Sequence, residues 1–159
     1  MEKCIDLRGR GLMVLDHIPF EEFIRYEYCI LRHYTSSSLL DSIQKDGLLP
    51  PSQSNIQSSN FDSQSSDEDK HYIYLTGNQD WVFSKNAVEL HGGKLVELTV
   101  KVALMSVEAD DYSELYSSKG IDPKDMSIVH DKLTKGLWRN CRTRYSIKPE
   151  DILEILILD

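Results

Sequence analysis

The chain has 159 residues, 40% of them hydrophobic and 28% charged, with a formal net charge of −8. That length suits about one domain with a real core, and the acidic balance argues against strong non-specific nucleic-acid binding, which depends on clustered Lys and Arg. No apolar run approaches the roughly 18 residues that a membrane-spanning helix needs, and Met1 to Phe20 lacks the features of a secretory signal, so the expectation is a cytoplasmic protein with no membrane association.

Residues 1–25 form a mixed lead-in, with a short helix opening at Pro19, a residue tolerated in a first turn. Tyr26 to Tyr34 is rich in aromatic and β-branched residues and reads as a strand. Thr35 to Ser38 is a capping cluster for a helix whose face carries Leu39, Leu40 and Ile43. Gly47 closes that helix, and Pro50-Pro51 prevents its continuation. Residues 52–70, rich in Ser, Gln and Asn and ending acidic, read as a flexible loop inside one domain spanning 1–159. His71 to Thr76 is the next strand, followed by a helix capped by Asn78 or Asp80 that runs to about Leu90 with Trp81 and Val88 inward, and broken by Gly92-Gly93.

From Lys94 to Leu104, Val96, Leu98, Val100 and Val102 fall on one face and Glu97, Thr99 and Lys101 on the other, the pattern of a half-buried strand. Residues 108–118 read as a turn into a short helix, 124–135 as a helix, and Trp138 to Ile147 and Ile152 to Leu158 as the last strands. The run Ile152 to Leu158 is nearly all apolar, which predicts a central position in a sheet. Cys4, Cys29 and Cys141 make no C-x-x-C pair and are expected to be small buried or half-buried residues. His17, His71 and His130 lack metal-ligand spacing, and no metal site is expected.

Three features follow one another in the chain. His33-Tyr34-Thr35 ends a strand just ahead of a capped helix closing on Gly47-Leu48-Leu49-Pro50. Tyr72-Ile73-Tyr74-Leu75-Thr76 is a strand ahead of a helix containing Ala87, Glu89 and Leu90. Val96 to Val102 leads to an acidic turn with Glu108, Asp110 and Asp111.

This order, over roughly residues 29–112, resembles the ADP-ribosyltransferases of the diphtheria-toxin-like, His-Tyr-acid branch, and within it the small rifampin-modifying enzymes. The resemblance implies an α+β fold, a split β-sandwich of two small sheets with flanking helices. It also implies transfer of ADP-ribose from NAD to an acceptor with release of nicotinamide. Breaking that glycosidic bond passes through an oxocarbenium-like state. Such a site needs a group to fix the ribose hydroxyls, an aromatic wall for nicotinamide and a carboxylate for the cation or the nucleophile. The implied assignments are His33 for the ribose, Tyr74 (or Tyr72) for stacking, and Asp110 or Asp111 for the acid, with Glu108 and Glu97 as outside candidates. Tyr34, Thr35, Tyr72 and Thr76 complete the NAD-binding set. The acceptor stays open between protein, nucleic acid and small molecule, and a toxin or effector role follows only by analogy.

The chain departs from that branch by lacking Asp-Pro-Asn after the acidic turn, by its longer 52–70 segment, and by having no acid in Cys141 to Tyr145, where other branches carry a catalytic Glu ahead of the last strand pair. Two further readings therefore stand beside the transferase: an NAD glycohydrolase, and a catalytically inactive binding or interaction module that keeps the NAD fold. Arg139, Arg142 and Arg144 are candidates for the pyrophosphate of NAD, but the spacing of Arg142 and Arg144 reads more readily as a solvated ladder on one strand face.

Overall fold

The computed structural model describes residues 3–9, 18–53, 71–79, 81–110, 120–135 and 139–158. In chain order the elements are β1 (Cys4–Asp6), α1 (Phe20–Phe23), β2 (Tyr28–Ser36), α2 (Leu40–Asp46), β3 (Ile73–Thr76), α3 (Trp81–His91), β4 (Leu95–Ala103), β5 (Val107–Ala109), α4 (Met126–Lys135), β6 (Asn140–Thr143) and β7 (Ile152–Leu158). The fold is α+β, a seven-stranded sheet in the order β5-β6-β3-β2-β4-β7 with β1 beside β2. The β1–β2 pair is parallel and the other pairs are antiparallel.

β2 and β4 form the spine, paired from Tyr28 opposite Ala103 to Ser36 opposite Leu95. Because side chains alternate across a strand, Cys29 and Leu31 meet Val102 and Val100 on one face. With Val96, Leu98, Ile73, Leu75 and Cys141 they form a core that also takes in Val129 and Leu133 of α4. The opposite row is buried as well: Glu97 and Thr99 are covered rather than solvated.

Instead of the two separate sheets expected from the sequence, the described residues form one sheet, held between β2 and β3 by the single bridge of Arg32 with Thr76. The ladder is thus almost interrupted between a β1-β2-β4-β7 half and a β3-β6-β5 half.

β2 begins and ends two residues later than expected, because Ser36 keeps extended backbone (φ −100, ψ 145) and its own Oγ accepts from the Ser38 amide. A 3₁₀ turn, Ser37–Leu39, then feeds α2. Gly47 ends that helix at φ +81, and Gly92 and Gly93 follow α3 at φ +74 and +73, conformations that glycine adopts freely. The side-chain oxygen of Asn78 accepts twice from Arg139, and Asp80, the other expected cap, lies outside the described residues. Glu108 and Ala109, expected to open a turn, lie instead with Val107 in the sheet as β5. Of the strand expected from Trp138 to Ile147, Asn140–Thr143 is strand, preceded by Arg139 at φ 48 in the left-handed region, and Trp138 lies outside the described residues.

β7 corrects a larger expectation. It is an edge strand with only β4 beside it among the described residues, and its apolar side chains are exposed. An unbroken aliphatic run looks the same whether neighbours cover both faces or none do. Cys4 is exposed, whereas Cys29 and Cys141 are buried as expected. His130 is a core residue: its Nε2–H donates to the Ile18 carbonyl at 2.6 Å, and its ring meets Phe20 and Phe23 edge-on. Of the 52–70 segment, Ser52 and Gln53 lie in a 3₁₀ turn and 54–70 fall outside the described residues, as do Asp80, Asp111 and His17. Among the described residues no helix is long and apolar enough to cross a membrane.

Candidate functional site

The break between β2 and β3 gathers most of the sequence candidates. Beyond the Arg32–Thr76 bridge the strands part, and His33 crosses the gap: its Nδ1 lies 2.7 Å from the Tyr74 carbonyl oxygen. A carbonyl only accepts, so Nδ1 carries the proton and Nε2 is left as the acceptor of the ring. Burial lowers the His33 pKa from its ordinary 6.5, with the bond to Tyr74 opposing that shift, so the imidazole is neutral at pH 7. By alternation His33 leaves β2 on the face of Leu31 and Thr35, while the Tyr74 ring leaves β3 on the face of Thr76. The imidazole therefore meets Tyr74 through the main chain.

One end of the seam is held by two buried guanidiniums. Arg32 donates from Nη1 to the carbonyls of Gly9 (2.9 Å) and Gly77 (2.7 Å), with Glu97 3.5 Å from its Nε. Arg139 donates to the carbonyls of Leu7 and Gly77, both at 3.0 Å, and twice to Asn78 Oδ1, at 2.9 and 2.6 Å. Gly77 O also accepts from the Gly9 amide. Gly9 must be glycine, because a Cβ there would collide with the Arg139 guanidinium. Burial and the neighbouring charge of Arg32 both lower the Arg139 pKa. Arg139 thus ties the segments 7–9 and 77–78 to the start of β6, a structural role rather than the surface or pyrophosphate position considered from the sequence.

The remaining candidates are distributed as follows. Tyr34 donates its hydroxyl to Glu97 Oε1 at 2.6 Å, and the buried Thr35 lies opposite Val96. Thr76 Oγ1 accepts from the Asn78 amide at 3.0 Å. Tyr72 is buried, with the Arg142 guanidinium 3.9 Å and the Arg144 guanidinium 5.0 Å from its ring centroid. Its hydroxyl receives Arg144 at 2.6 Å and lies 3.5 Å from Glu108, which is itself 3.5 Å from Arg142 and 3.4 Å from Arg144. Burial raises the Tyr72 pKa. Arg142 is therefore no part of a solvated ladder: it is buried against Tyr72 and Glu108, and Arg144 closes the cluster from outside. Glu108 is engaged by two guanidiniums, which removes it from the list of acids facing the seam.

Asp110 follows β5 and donates its amide to the Asn140 carbonyl at 3.3 Å. Asn140 pairs with Thr76 in the β3–β6 ladder, so Asp110 stands across β6 from the seam. The structure thus sets the His33 imidazole against the Tyr74 main chain, with the Tyr74 and Thr76 side chains on the other sheet face, keeps Tyr34 and Thr35 beside His33 on β2, and sequesters the Tyr72 ring. Sequence reasoning missed Arg32 and Asn78, whose one signal was polarity inside strand-and-turn patterns that alternation alone assigns to solvent. Among the described residues no group of three or more His, Cys, Asp or Glu is placed to hold a metal ion. No family model matches the chain, and no curated protein matches it.

Proposed function

We propose that the protein transfers ADP-ribose from NAD to an acceptor and releases nicotinamide, using the seam between β2 and β3 as its dinucleotide site in a split sheet of the ADP-ribosyltransferase kind. The observation that carries this reading is the bond from His33 Nδ1 to the Tyr74 carbonyl at the parting of the strands. It fixes the orientation and tautomer of a neutral ring and turns Nε2 into an acceptor for a ribose hydroxyl. Neutrality matters, because the scissile ribose becomes cationic as the nicotinamide bond breaks and an imidazolium beside it would oppose that charge.

In this reading Tyr74 supplies the aromatic wall for nicotinamide; its ring lies on the opposite sheet face from the His33 imidazole, so the dinucleotide would have to pass through the parting of the strands to meet both. Tyr34, Thr35 and Thr76 frame the strand ends. The carboxylate for the cation or the nucleophile is assigned to Asp110 or Asp111; Asp110 stands one strand beyond the seam, across β6, and Asp111 lies outside the described residues. The chemistry needs no metal.

The test measures NAD binding by titration and nicotinamide release by chromatography, with and without cell lysate, for the wild type and for His33→Ala, Tyr74→Ala, Asp110→Asn and Asp111→Asn. Release that depends on lysate identifies a transferase, release without it a glycohydrolase, and binding without release an inactive NAD module. His33→Ala and Tyr74→Ala are expected to weaken binding or turnover at least tenfold, about 1.4 kcal/mol. Wild-type behaviour of both variants would sink the proposal.

A further inference from the structure

The two edges of the sheet are treated differently. At one end the short β5 is buried and α4 packs beside it. At the other, β7 presents Leu153, Ile155, Leu156 and Ile157 at 47, 39, 50 and 50% exposure. Ile155 and Ile157 project on the face of Leu98 and Val96, and Leu156 on the opposite face with Glu97. Edge protection is slight: no Lys, Arg or Pro lies between Ile152 and Leu158, leaving Glu154 as the one charge on the strand. A register shift opposite Thr99 and Val100 disturbs only the start of the strand and leaves Glu154 to Leu158 regular. An edge unpaired among the described residues offers main-chain donors and acceptors together with aliphatic contacts on both faces, the two ingredients of strand addition.

We propose that the outer edge of β7 receives an extended segment of a partner polypeptide, about five aliphatic-rich residues bounded by Lys or Arg. The length follows from the regular run Glu154 to Leu158. The basic flanks follow from charge: from Pro149 to Asp159 every charge is acidic, namely Glu150, Asp151, Glu154 and Asp159. The Glu154 side chain is 69% exposed with Arg8 3.6 Å away, and Asp151 lies 3.6 Å from Lys101. A second copy of the chain fits this edge poorly. Antiparallel pairing of two β7 strands would face two wholly acidic segments against each other, and like charges across strands destabilise the pair. Each copy also carries a net charge of −8. This edge lies two strands from β2, so the inference is independent of the NAD reading.

The probe is a fluorescein-labelled peptide with a core of alternating valine and threonine and two lysines at each end, titrated with the full chain and followed by anisotropy. Its controls are the same core with glutamate flanks and the lysine peptide with alternate backbone amides N-methylated. The lysine peptide is expected to bind at least tenfold more tightly than either control. Leu156→Lys combined with Ile157→Lys is expected to weaken it at least tenfold with an unchanged melting curve, and Glu154→Lys to narrow the preference for lysine flanks. If the edge variant does not fold, the wild-type comparison with the N-methylated peptide still decides. Three results would overturn the proposal: no saturable binding of the lysine peptide up to about 1 mM, equal binding of the glutamate peptide, or sedimentation of the chain alone as a dimer that the edge variant abolishes.

Discussion

Replacing Asn78 with alanine probes the buried junction most directly. Asn78 and Arg139 are each 1% exposed, and the Asn78 oxygen accepts from Arg139 Nε at 2.9 Å and Nη2 at 2.6 Å. Alanine keeps the backbone and removes that acceptor, leaving two N–H groups of a buried cation facing a small void. Hydrogen bonds to charged groups contribute about 1.5–3 kcal/mol each, and removing a partner from a buried charge costs about 3–5 kcal/mol. Since Leu7 O and Gly77 O still hold the guanidinium, the expected loss is about 3–4 kcal/mol, a large share of a typical total of about 5–15. With a urea m-value of about 2 kcal/mol per molar, the unfolding midpoint falls by about 1.5–2 M. Asn78→Asp keeps both acceptor contacts and adds a compensating charge, so it should stay within about 1 kcal/mol of wild type. A midpoint shift under about 0.5 M for Asn78→Ala, at unchanged m, would refute the junction as a source of stability.

Three other outcomes are expected. Tyr34→Phe removes the 2.6 Å bond to the buried Glu97 and should cost about 1–2 kcal/mol in the same urea assay; a neutral result would mean that Glu97 is satisfied without it. The His33 pKa is lower in the folded protein than the ordinary 6.5, so the unfolded chain binds the proton more readily. The contribution of His33 is therefore complete above the unfolded value and lost as pH falls through it. Melting temperature should drop between about pH 7 and pH 5 by more in the wild type than in His33→Gln, and parallel curves would contradict the burial of that ring. Burial pushes the thiols of Cys29 and Cys141 up and Cys4 is exposed, so a thiol reagent should label Cys4 rapidly and the other two only on unfolding; rapid labelling of all three would count against the core.

Much of the scaffold was legible because local chemistry decides it. The alternation of Val96, Leu98, Val100 and Val102 gave β4 and its core face, and Ser36 to Ser38 with Gly47 bracketed α2. His33 and Tyr74 lie in strands as expected, but His33 stands three residues before the end of β2 rather than at a strand end. What escaped was set by distant partners. The bond between Asn78 and Arg139 is not legible locally, because nothing near Asn78 announces a partner 61 residues away. Arg142 and Arg144 were assigned to a common side of their strand, but alternation cannot say that Tyr72 and Glu108 cover it. The aliphatic run of β7 carries no record of its missing neighbour. The acid of the candidate site stayed open between Asp110 and Asp111, since a turn has no periodicity from which to infer direction.

Strands that separate inside a sheet ordinarily close again, because each unpaired carbonyl attracts the amide across from it. Here that closure is blocked chemically. The Tyr74 oxygen is occupied by an imidazole, and the Gly77 oxygen by two guanidiniums and a glycine amide. The side chains act as spacers longer than the amide bond they replace, so the distance between the halves is written into the lengths of one histidine and two arginines. Shortening any of these spacers should narrow the opening before it unfolds the protein, which makes its width something that substitution can tune.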